Sequence, residues 1–513
     1  MISWDLAESR YRSYKEETRE GAGAERRNKL HAKGKLTARE RMEILFDEGK
    51  YSEIGMYQKS RIDFGDVKKT HYPGDGVITA VGKINGVTSY AVSQDFTISG
   101  GAGGEAHVDK ICRVLEMAIE NRAPIVYLCE SGGARIEEGI LSLAAYSRLF
   151  RLNTIASGMI PQIAAVMGNC AGGSSYSPAM CDFIFIVKAQ GQFFITGPKV
   201  IKALTGEDIT MDELGGAEIH SKHSGQVHFV SDNDDSCIND IRRLLRFVTI
   251  NHVGININKK TYRKEKNRIE RIVPENKKII YNVKDVIYEL VDDEFMEVQE
   301  EFAPNIVCGF SRIDGITTGI IANQPNHLGG ALDCDAADKG ARFVRFCDCF
   351  NIQLLVLVDV PGFFPGLEQE KKGVLRHGCK LLYAFAEASV PKISVIMRKA
   401  YGGAYCAMNS KDLGADYVFA WPISEIAVMG ADGAVEVIFN KMIAASDKPN
   451  LIRTREIQKY EEKYLNPYFA ASYGMVDSII MPSETRDEII TIYESLRTKK
   501  QTRIEKKHGN IAL

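Results

Sequence analysis

The chain has 513 residues, 45% of them hydrophobic and 26% charged, a composition typical of roughly two to four globular domains with full cores. Its 65 Lys and Arg residues nearly balance its 67 Asp and Glu residues, and a formal net charge of -2 excludes a general attraction to nucleic acid or to an anionic membrane. The 11 cysteines show no C-x-x-C spacing, so we expect reduced thiols and no metal. No apolar run reaches about 18 residues, so we expect no membrane span. The start Met1–Glu20 has no apolar core of the kind found in a signal peptide, so we expect a cytoplasmic protein.

The order of predicted elements indicates an α/β fold. Residues 1–60 are rich in charge and predict helices. The apolar runs Val77–Val81 and Thr88–Val92, joined through Asn85-Gly86, predict a β-hairpin. The spacing of apolar residues in His107–Asn121 predicts a helix, and Pro124 precedes the next strand. This alternation of strands and helices predicts layered α/β domains.

A polar segment divides the chain. The residues Lys259–Lys278 are rich in cations, poor in apolar residues and include Pro274, which predicts an inter-domain linker. We therefore predict an N-terminal domain over 1–258 and a C-terminal domain over 279–513. Strand and helix patterns resume after the linker and continue to Leu496.

The two predicted domains repeat each other. The segment Pro161–Met167, which precedes Gly172-Gly173, returns as Pro391–Met397 before Gly402-Gly403, at an offset of 230 residues. That period is far longer than one unit of a solenoid, so it indicates two duplicated domains. Neighbouring segments repeat at nearly the same offset: Ile84–Thr88 with Ile313–Thr317, and Ile125–Glu130 with Leu355–Asp359.

The repeated glycine pairs are the first candidates for chemistry. In each half a predicted strand runs through a short loop into Gly-Gly and then into a helical pattern, which would present backbone N–H groups at a helix N-terminus. Such donors suit an oxyanion or an enolate, and glycine allows a carbonyl group to approach closely. Tight packing of helix on strand is the more common explanation of one isolated pair. The repetition of the pair makes the two interpretations about equal, so both stay open at this point.

Other candidate motifs are weaker. The glycine-rich segment Gly100–Gly104 fits either a phosphate cradle or a tightly packed loop, and the second is the more common use. His107 and His377 lie near predicted helix starts, where a packing or capping role is more common than catalysis, and Cys406 fits a site wall or core packing. The sequence thus offers backbone donors twice and no convincing side-chain nucleophile, which fits chemistry in which the protein stabilises enolates.

Several motifs resemble those of the carboxyltransferase (β) subunits of biotin-dependent acyl-CoA carboxylases, closest to the propionyl-CoA carboxylase β type. The resemblance covers nearly the whole chain and implies two tandem crotonase-like domains, each a β-β-α spiral. The motifs are His31–Arg41, Pro73–Gly76, Gln94–Thr97, Ser131–Arg135, Cys170–Gly173, Thr196–Pro198, Val360–Phe363, Arg376–Gly378 and Arg398–Tyr405.

The resemblance implies roles for individual residues. The amides of Gly172 and Gly173 would hold the thioester oxygen of acyl-CoA, and those of Gly403 and Ala404, with Gly402 beside them, would hold the ureido oxygen of carboxybiotin. Carboxybiotin would release CO2, the resulting biotin enolate would take the α-proton of acyl-CoA, and the acyl-CoA enolate would attack CO2. Further candidates for substrate binding are Gly132, Gly133 and Tyr405.

The basic stretch Lys33–Arg41 has two open interpretations. Lys35 and Arg39 would help to hold the phosphates of CoA, or the stretch would be a helix that anchors the N-terminus. Cys406 stands where propionyl-type enzymes usually carry Asp, which predicts a wider choice of acyl chain. The segments Leu332–Asp335 and Gln369–Gly373 also depart from the family pattern.

The resemblance also implies partners. No Ala-Met-Lys-Met motif occurs, so biotin would arrive on a biotin carboxyl carrier protein, with a biotin carboxylase as a further partner. The family forms hexamers in which the N-terminal domain of one subunit faces the C-terminal domain of another. Alternatives are a transcarboxylase subunit and the α subunit of a sodium-pumping methylmalonyl-CoA-type decarboxylase. A hydratase would need paired acids positioned on water, and Glu137-Glu138 fits solvated charge better.

Overall fold

The computed structural model of the protein describes residues 2–61, 71–248, 269–500 and 505–512. The chain divides into two compact units, Met1–Gly254 and Ile255–Leu513. Residues 259–268 of the predicted linker lie outside the described part, and a short helix, Ile269–Ile272, occurs in its remainder. The domain limits at 258 and 279 stay a prediction.

The first unit consists of one mixed sheet covered by helices. Its described strands are β1 Tyr51–Ile54, β2 Val77–Ile84, β3 Val87–Gln94, β4 Ile125–Ser131, β5 Gln162–Ala171, β6 Phe183–Val187, β7 Gln192–Phe194 and β8 Phe229–Ser231. Its described helices are α1 Trp4–Glu20, α2 Ala24–His31, α3 Ala38–Leu45, α4 Glu105–Glu120, α5 Ile140–Ala156, α6 Gly173–Ala179, α7 Pro198–Thr205, α8 Met211–Gly215 and α9 Asp234–Leu244.

The sheet order is β1-β2-β3-β4-β5-β6-β8, and β7 pairs with the end of β5. The first three strands are antiparallel, and those from β3 onwards are parallel to one another. The predicted hairpin is confirmed, since β2 and β3 pair from Val77 with Gln94 to Ile84 with Val87 around Asn85-Gly86. The predicted helix over 107–121 is confirmed as α4, and every residue of β4, the strand after Pro124, is buried.

The second unit has the same construction. Its described strands are β9 Met296–Val298, β10 Ile306–Ile313, β11 Ile316–Asn323, β12 Gln353–Val360, β13 Lys392–Tyr401, β14 Tyr417–Ala420, β15 Glu425–Ala427 and β16 Ser478–Ile479. Its described helices are α10 Ile269–Ile272, α11 Val283–Leu290, α12 Cys334–Cys349, α13 Leu367–Lys372, α14 Val374–Glu387, α15 Gly402–Ala407, α16 Ala431–Ala444, α17 Pro449–Tyr464, α18 Pro467–Ser472 and α19 Thr485–Leu496.

The second sheet repeats the topology of the first. Its order is β9-β10-β11-β12-β13-β14-β16, and β15 pairs with the end of β13 as β7 does with β5. Buried aliphatic and aromatic residues of the central strands form the core of each unit. The duplication predicted from the sequence is thus present in the strand order and in the pairing.

An ion pair joins the hairpin turn of the first unit to its last described helix. Asp47 accepts hydrogen bonds from the N–H groups of Asn85 and Gly86, at 3.0 and 2.7 Å, and pairs with Arg242 of α9 at 2.8 Å. Because the carboxylate satisfies two turn amides and one cation, it holds the turn against the helix.

The second unit contains the same arrangement. Asp292 accepts from the N–H groups of Asp314 and Gly315, at 3.1 and 2.7 Å, and pairs with Arg486 of α19. In both units the arginine also donates to a backbone carbonyl, that of Leu45 or of Leu290. The duplication therefore extends to polar contacts as well as to the sheets.

No described helix is both long enough and apolar enough to cross a bilayer. None of the 11 cysteines, all of which lie in the described ranges, forms a disulfide; Cys349, Cys379 and Cys406 are exposed and the other eight are buried.

Candidate active site

The first candidate site lies where the parallel strands β4 and β5 end. The chain leaves β4 through the loop Gly132–Ala134 and leaves β5 through Gly172, and these loops lie against each other. Gly133 has φ +108°, and a Cβ there would lie 3.0 Å from the carbonyl oxygen of Ala171. Only glycine combines that backbone angle with so close an approach. The predicted residues Gly132 and Gly133 therefore belong to the same site as the glycine pair.

Two backbone amides face this site. Gly173 is the first residue of α6, so its N–H has no acceptor within the helix. On either side of Ala134, Gly103 N–H donates to Gly133 and Arg135 N–H donates to Gly103, both at 2.9 Å. Because successive amides of an extended chain point to opposite sides, the Ala134 N–H points away from Gly103, and it has no hydrogen bond.

The residues that carry the two amides, Ala134 and Gly173, are close neighbours. A Cβ built on Gly173 would lie 3.8 Å from the Cβ of Ala134 and 3.4 Å from the ring of Tyr146. Two such N–H donors beside each other, one at a helix N-terminus, form the arrangement that binds a carbonyl oxygen as it gains negative charge.

The N–H of Gly172 was expected from the sequence to bind the substrate oxygen, but the structure gives it another acceptor. Its N–H donates to the carbonyl oxygens of Phe194 and Ile195, at 3.2 and 3.0 Å, and so it is already satisfied within the protein. The cause is β7, which pairs with the end of β5 and takes up this amide. With φ +56°, Gly172 instead makes the sharp turn from β5 into α6.

The second candidate site repeats this geometry at the ends of β12 and β13. Leu332 N–H donates to Gly362 at 3.1 Å, Phe364 N–H donates to Leu332 at 2.7 Å, and the Phe363 N–H between them has no hydrogen bond. Gly403 lies in the first turn of α15, and a Cβ there would lie 3.9 Å from the Phe363 ring. Phe363 and Gly403 thus correspond to Ala134 and Gly173.

The other glycine-pair predictions at the second site have different outcomes. Gly402 has φ +59°, and a Cβ there would lie 3.2 Å from the carbonyl oxygen of Val428, so it makes the turn into α15 as Gly172 does into α6. Ala404 is wholly buried in the first turn of α15. The structure brings Gly403 next to Phe363, and the role of Ala404 as a donor stays a prediction.

Ala134 and Phe363 were missed as donors by sequence reasoning. Both lie in motifs recognised in the sequence, Ser131–Arg135 and Val360–Phe363, and each follows a glycine after a buried strand. These two motifs repeat at nearly the same offset as the glycine pairs, and this repetition in the sequence could have identified the two residues as candidates.

A buried charge cluster lies behind the Ala134 loop. Arg135 pairs with Asp75 at 2.9 Å and with Glu138 at 2.8 Å, and it also donates to the carbonyl oxygen of Ala102 at 3.0 Å. Glu138 accepts in addition from the N–H of Glu105, and burial raises the pKa of Asp75. Glu138 was expected to be solvated, but it is buried and bound to Arg135, which also argues against a pair of acids acting on water.

Lys35 and Arg39 are bound to carboxylates of their own unit. Lys35 Nζ lies 2.7 Å from Glu130, and Arg39 Nη1 lies 2.8 Å from Glu53. The Arg39 pair is mostly buried, with side-chain exposures of 22% and 9%. This geometry favours the interpretation of the stretch as an anchor over direct contact with phosphate.

The two histidines are held by internal contacts. His107 Nδ1 donates to the carbonyl oxygen of Asp75 at 2.9 Å, and its Nε2 accepts from the side-chain amide of Gln94 at 3.4 Å. Burial, together with the nearby Arg135 guanidinium, lowers the pKa of His107 to about 3, so it is neutral at physiological pH. His377 Nδ1 lies 2.8 Å from Asp338.

The glycine-rich loop Gly100–Gly104 is tightly packed. A Cβ on Gly101 would overlap the carbonyl oxygen of Glu130, one on Gly103 would overlap the Tyr146 hydroxyl, and one on Gly104 would overlap the Glu138 carboxylate. These contacts support the packed-loop interpretation.

Tyr405 and Cys406 lie on α15, next to Gly403. Burial raises the pKa of Tyr405 to about 12, and its buried hydroxyl has no hydrogen-bond partner. Cys406 is exposed, one turn after Gly403, in a position from which it can line a pocket. Within the described ranges, no group of three or more His, Cys, Asp or Glu side chains is arranged to hold a metal ion.

Comparison with known proteins gives consistent matches over the whole chain. A family model described as a carboxyl transferase domain matches residues 29–511. The carboxyltransferase subunit of propionyl-CoA carboxylase from Haloferax mediterranei is 47% identical over 506 residues, which are 98% of each chain. Methylmalonyl-CoA decarboxylase subunit alpha from Veillonella parvula is 49% identical over 499 residues, which are 96% of each chain.

A solved structure has the same fold. The crystal structure of transcarboxylase 12S, a hexamer with methylmalonyl-CoA and methylmalonic acid bound, superposes with a TM-score of 0.97. Its sequence is 46% identical, and the superposition covers 100% of this chain and 99% of the other.

Proposed function

The chain belongs to the carboxyl transferase domain family, and from this membership we propose that it moves a carboxyl group between carboxybiotin, held on a carrier protein, and the α-carbon of a short-chain acyl-CoA. The predicted fold of two tandem crotonase-like domains is confirmed by the likeness to the 12S structure. The predicted reaction class, biotin-dependent acyl-CoA carboxyl transfer, is confirmed by the family match and the close relatives. The assignment of roles to individual residues depends on one observation, the pair of backbone N–H donors that occurs in both units.

At the first site, Ala134 and Gly173 donate to the thioester oxygen of acyl-CoA. As the α-carbon loses or gains its carboxyl group, negative charge develops on that oxygen, and two fixed donors stabilise it without reorganising. The loss of one such donor typically costs about 10²–10³ in turnover. The absence of a Cβ on Gly173 leaves room for the thioester to approach the amide.

At the second site, Phe363 and Gly403 donate to the ureido oxygen of biotin. Two N–H groups on one side suit this planar carbonyl, and glycine at 403 leaves space for it. When bound, carboxybiotin supplies the carboxyl group as CO2. The protein contributes the binding of the ureido oxygen and its orientation.

The charged side chains behind the Ala134 loop do not supply a base in this mechanism. Arg135 is paired with both Asp75 and Glu138, and Glu138 also accepts from the Glu105 N–H. Because these carboxylates are already hydrogen-bonded, they hold the loop rather than move a proton.

The proposed partners follow from the family. A biotin carboxyl carrier protein brings biotin, a biotin carboxylase charges it, and the chain forms hexamers as transcarboxylase 12S does. In that assembly the first site of one subunit faces the second site of another, so acyl-CoA and biotin meet between protomers. Cys406, Tyr405 and the neighbouring Gly402 line the acyl and biotin pockets in this proposal.

A second candidate is the α subunit of a methylmalonyl-CoA decarboxylase. The identity of 49% to the Veillonella parvula subunit is as high as that to the carboxylase subunit, so it supports this alternative equally. The transcarboxylase alternative has matching support from the 12S structure. The candidates differ in their partners, so affinity capture of the assembled complex helps to separate them: a biotin carboxylase indicates the carboxylase, and a membrane subunit indicates the decarboxylase.

The decisive assay measures carboxyl transfer from methylmalonyl-CoA to free biotin. We expect propionyl-CoA to form at a rate that depends on biotin. Gly173→Val should abolish use of the acyl-CoA, whereas Gly403→Val should abolish decarboxylation of carboxybiotin in the absence of acyl-CoA. The control is Gly173→Ala, which adds one methyl group at ordinary contact distance and should retain more activity than Val. Folded, assembled Val variants with near wild-type turnover would contradict the two-site proposal.

A further inference from the structure

Each unit has a buried carboxylate where its site-forming strand becomes irregular. In the first unit the pairing of β4 with β5 shifts register between Cys129 and Ser131, on either side of Glu130. In the second unit the pairing of β12 with β13 shifts between Val358 and Val360, on either side of Asp359. Such bulges re-aim the chain near active sites. Each carboxylate residue precedes the corresponding amide donor, Ala134 or Phe363, by four residues.

The backbone of these two residues is held in the same way. Glu130 N–H donates to the side chain of Gln94 at 3.1 Å, and Asp359 N–H donates to that of Asn323 at 3.2 Å. A Cβ on Gly101 would overlap the Glu130 carbonyl oxygen, and one on Gly330 would lie 2.6 Å from that of Asp359. The peptide before each donor loop is therefore fixed from two sides.

The carboxylate of Glu130 is bound by cations from the N-terminal segment. Its oxygens lie 2.7 Å from Lys35 Nζ and 2.8 Å from Arg41 Nη2, and its side chain is 3% exposed. Arg41 is held in turn by Asp234 at 2.8 Å. A Cβ on Gly168 of β5 would overlap the Glu130 carboxylate, so glycine at 168 provides the space that it fills.

Asp359 is bound by different elements. Its Oδ2 accepts from Arg398 Nε at 3.0 Å and from the Tyr281 hydroxyl at 3.1 Å, and its Oδ1 accepts from the Lys399 N–H at 3.1 Å. Arg398 stands at the repeat position of Gly168, at the offset of 230 residues. The first unit thus has a glutamate beside a glycine, and the second unit has an aspartate beside an arginine at the same place. The partners differ, but a buried, hydrogen-bonded carboxylate lies at the bulge in both units.

We propose that Glu130 and Asp359 are positioning residues that set the direction of the Ala134 and Phe363 N–H groups. This inference rests on the proposed function of the two donor pairs. Neither carboxylate is exposed enough to reach a substrate, so each acts through its strand: the ion pairs fix the bulge, and the bulge fixes the loop that carries the donor.

The experiment compares Glu130→Gln and Asp359→Asn in the full chain, in two assays. We expect Glu130→Gln to lower kcat for transfer from methylmalonyl-CoA to biotin by about 10- to 100-fold, with the KM for acyl-CoA little changed, and to leave carboxybiotin decarboxylation without acyl-CoA near wild type. Asp359→Asn should lower that decarboxylation by a similar factor. Gly168→Ala tests the same contact without removing a charge and should behave like Glu130→Gln.

The matched control is Asp47→Asn. It also removes a carboxylate that binds two amides and an arginine, but it lies at the turn of the β2–β3 hairpin, about 23 Å along the strand from Gln94. If Glu130→Gln, Asp359→Asn and Gly168→Ala each lower both reactions equally, or change them no more than Asp47→Asn does, the positioning role is wrong. If Glu130→Gln does not fold, Gly168→Ala decides the outcome. Failure of the wild-type chain in both assays would instead contradict the proposed function.

Discussion

Lys110 and Lys339 occupy equivalent positions in the two units, and each directs a buried ammonium group at carbonyl oxygens of a loop. Lys110 donates to Gly74 at 2.9 Å and to Val77 at 2.5 Å, and Lys339 donates to Gln299 and Phe302, both at 2.8 Å. Burial lowers the pKa of Lys110 to about 8 and also lowers that of Lys339. Both loops lead into the first strand of a hairpin, β2 or β10, so this contact is duplicated with the fold.

Replacement of Ala134 by Pro removes the proposed donor N–H at the first site. We expect kcat for acyl-CoA to fall by about 10²–10³, because two donors share the oxyanion and this variant leaves one. Steady-state kinetics with methylmalonyl-CoA and biotin measures the change. Ala134→Ser keeps the N–H and is the control. An Ala134→Pro protein that folds and turns over like Ala134→Ser would exclude this amide as a donor.

Replacement of Arg39 by Met should destabilise the first unit without changing the KM for acyl-CoA. The variant leaves the mostly buried Glu53 without its cation, and breaking such a pair typically costs about 3–5 kcal/mol, less here because Arg39 is partly exposed. Chemical denaturation measures the first effect and saturation kinetics the second. A KM that rises, with a difference that narrows at high salt, would instead support contact with the phosphates of CoA.

Replacement of Cys406 by Asp should narrow the range of acyl chains. The exposed thiol can lie beside an alkyl chain at lower cost than a carboxylate, so wild type should accept acetyl- and butyryl-CoA as well as propionyl-CoA. A pocket distinguishes one methylene by about 1–3 kcal/mol, so the preference should be graded. The test is kcat/KM over a C2–C5 series, and identical profiles would remove Cys406 from specificity.

His107 should make the first unit less stable in mild acid. Its pKa of about 3 in the folded state lies below the value of about 6.5 in the unfolded chain, so between these limits the unfolded chain binds the extra proton. Stability from the neutral imidazole is complete above pH 6.5 and falls by at most about 1.4 kcal/mol per pH unit below it. Denaturation at pH 7, 6 and 5 should show a shallower pH dependence for His107→Gln. Equal slopes in both proteins would contradict this assignment.

Local patterns were sufficient for much of the fold. Alternation around Asn85-Gly86 predicted the β2–β3 hairpin, helical spacing predicted α4, and the repeated segments predicted two units with one topology. These features depend on neighbours within one element or on a comparison of two segments, both of which a sequence contains directly.

Long-range pairing explains what was missed. The N–H of Gly172 is taken by the short strand β7, and nothing near Gly172 in the sequence indicates that pairing. Lys35 appeared to be a free cation because its partner, Glu130, is 95 residues away. Charge composition shows that cations are present, but their availability to a ligand depends on where distant carboxylates fold.

The ion pair between Asp47 and Arg242 also has a consequence for synthesis on the ribosome. Its partners are 195 residues apart, and those of the Asp292–Arg486 pair are 194 apart, so each unit joins its hairpin turn to a helix made late in that unit. The first unit can form this contact once α9 has emerged, while the second unit is still being translated. In a nascent chain truncated before α9, the hairpin turn lacks its contact with Arg242, so we expect the chain to stay bound to chaperones for longer. A chain truncated after α9 should not show this delay.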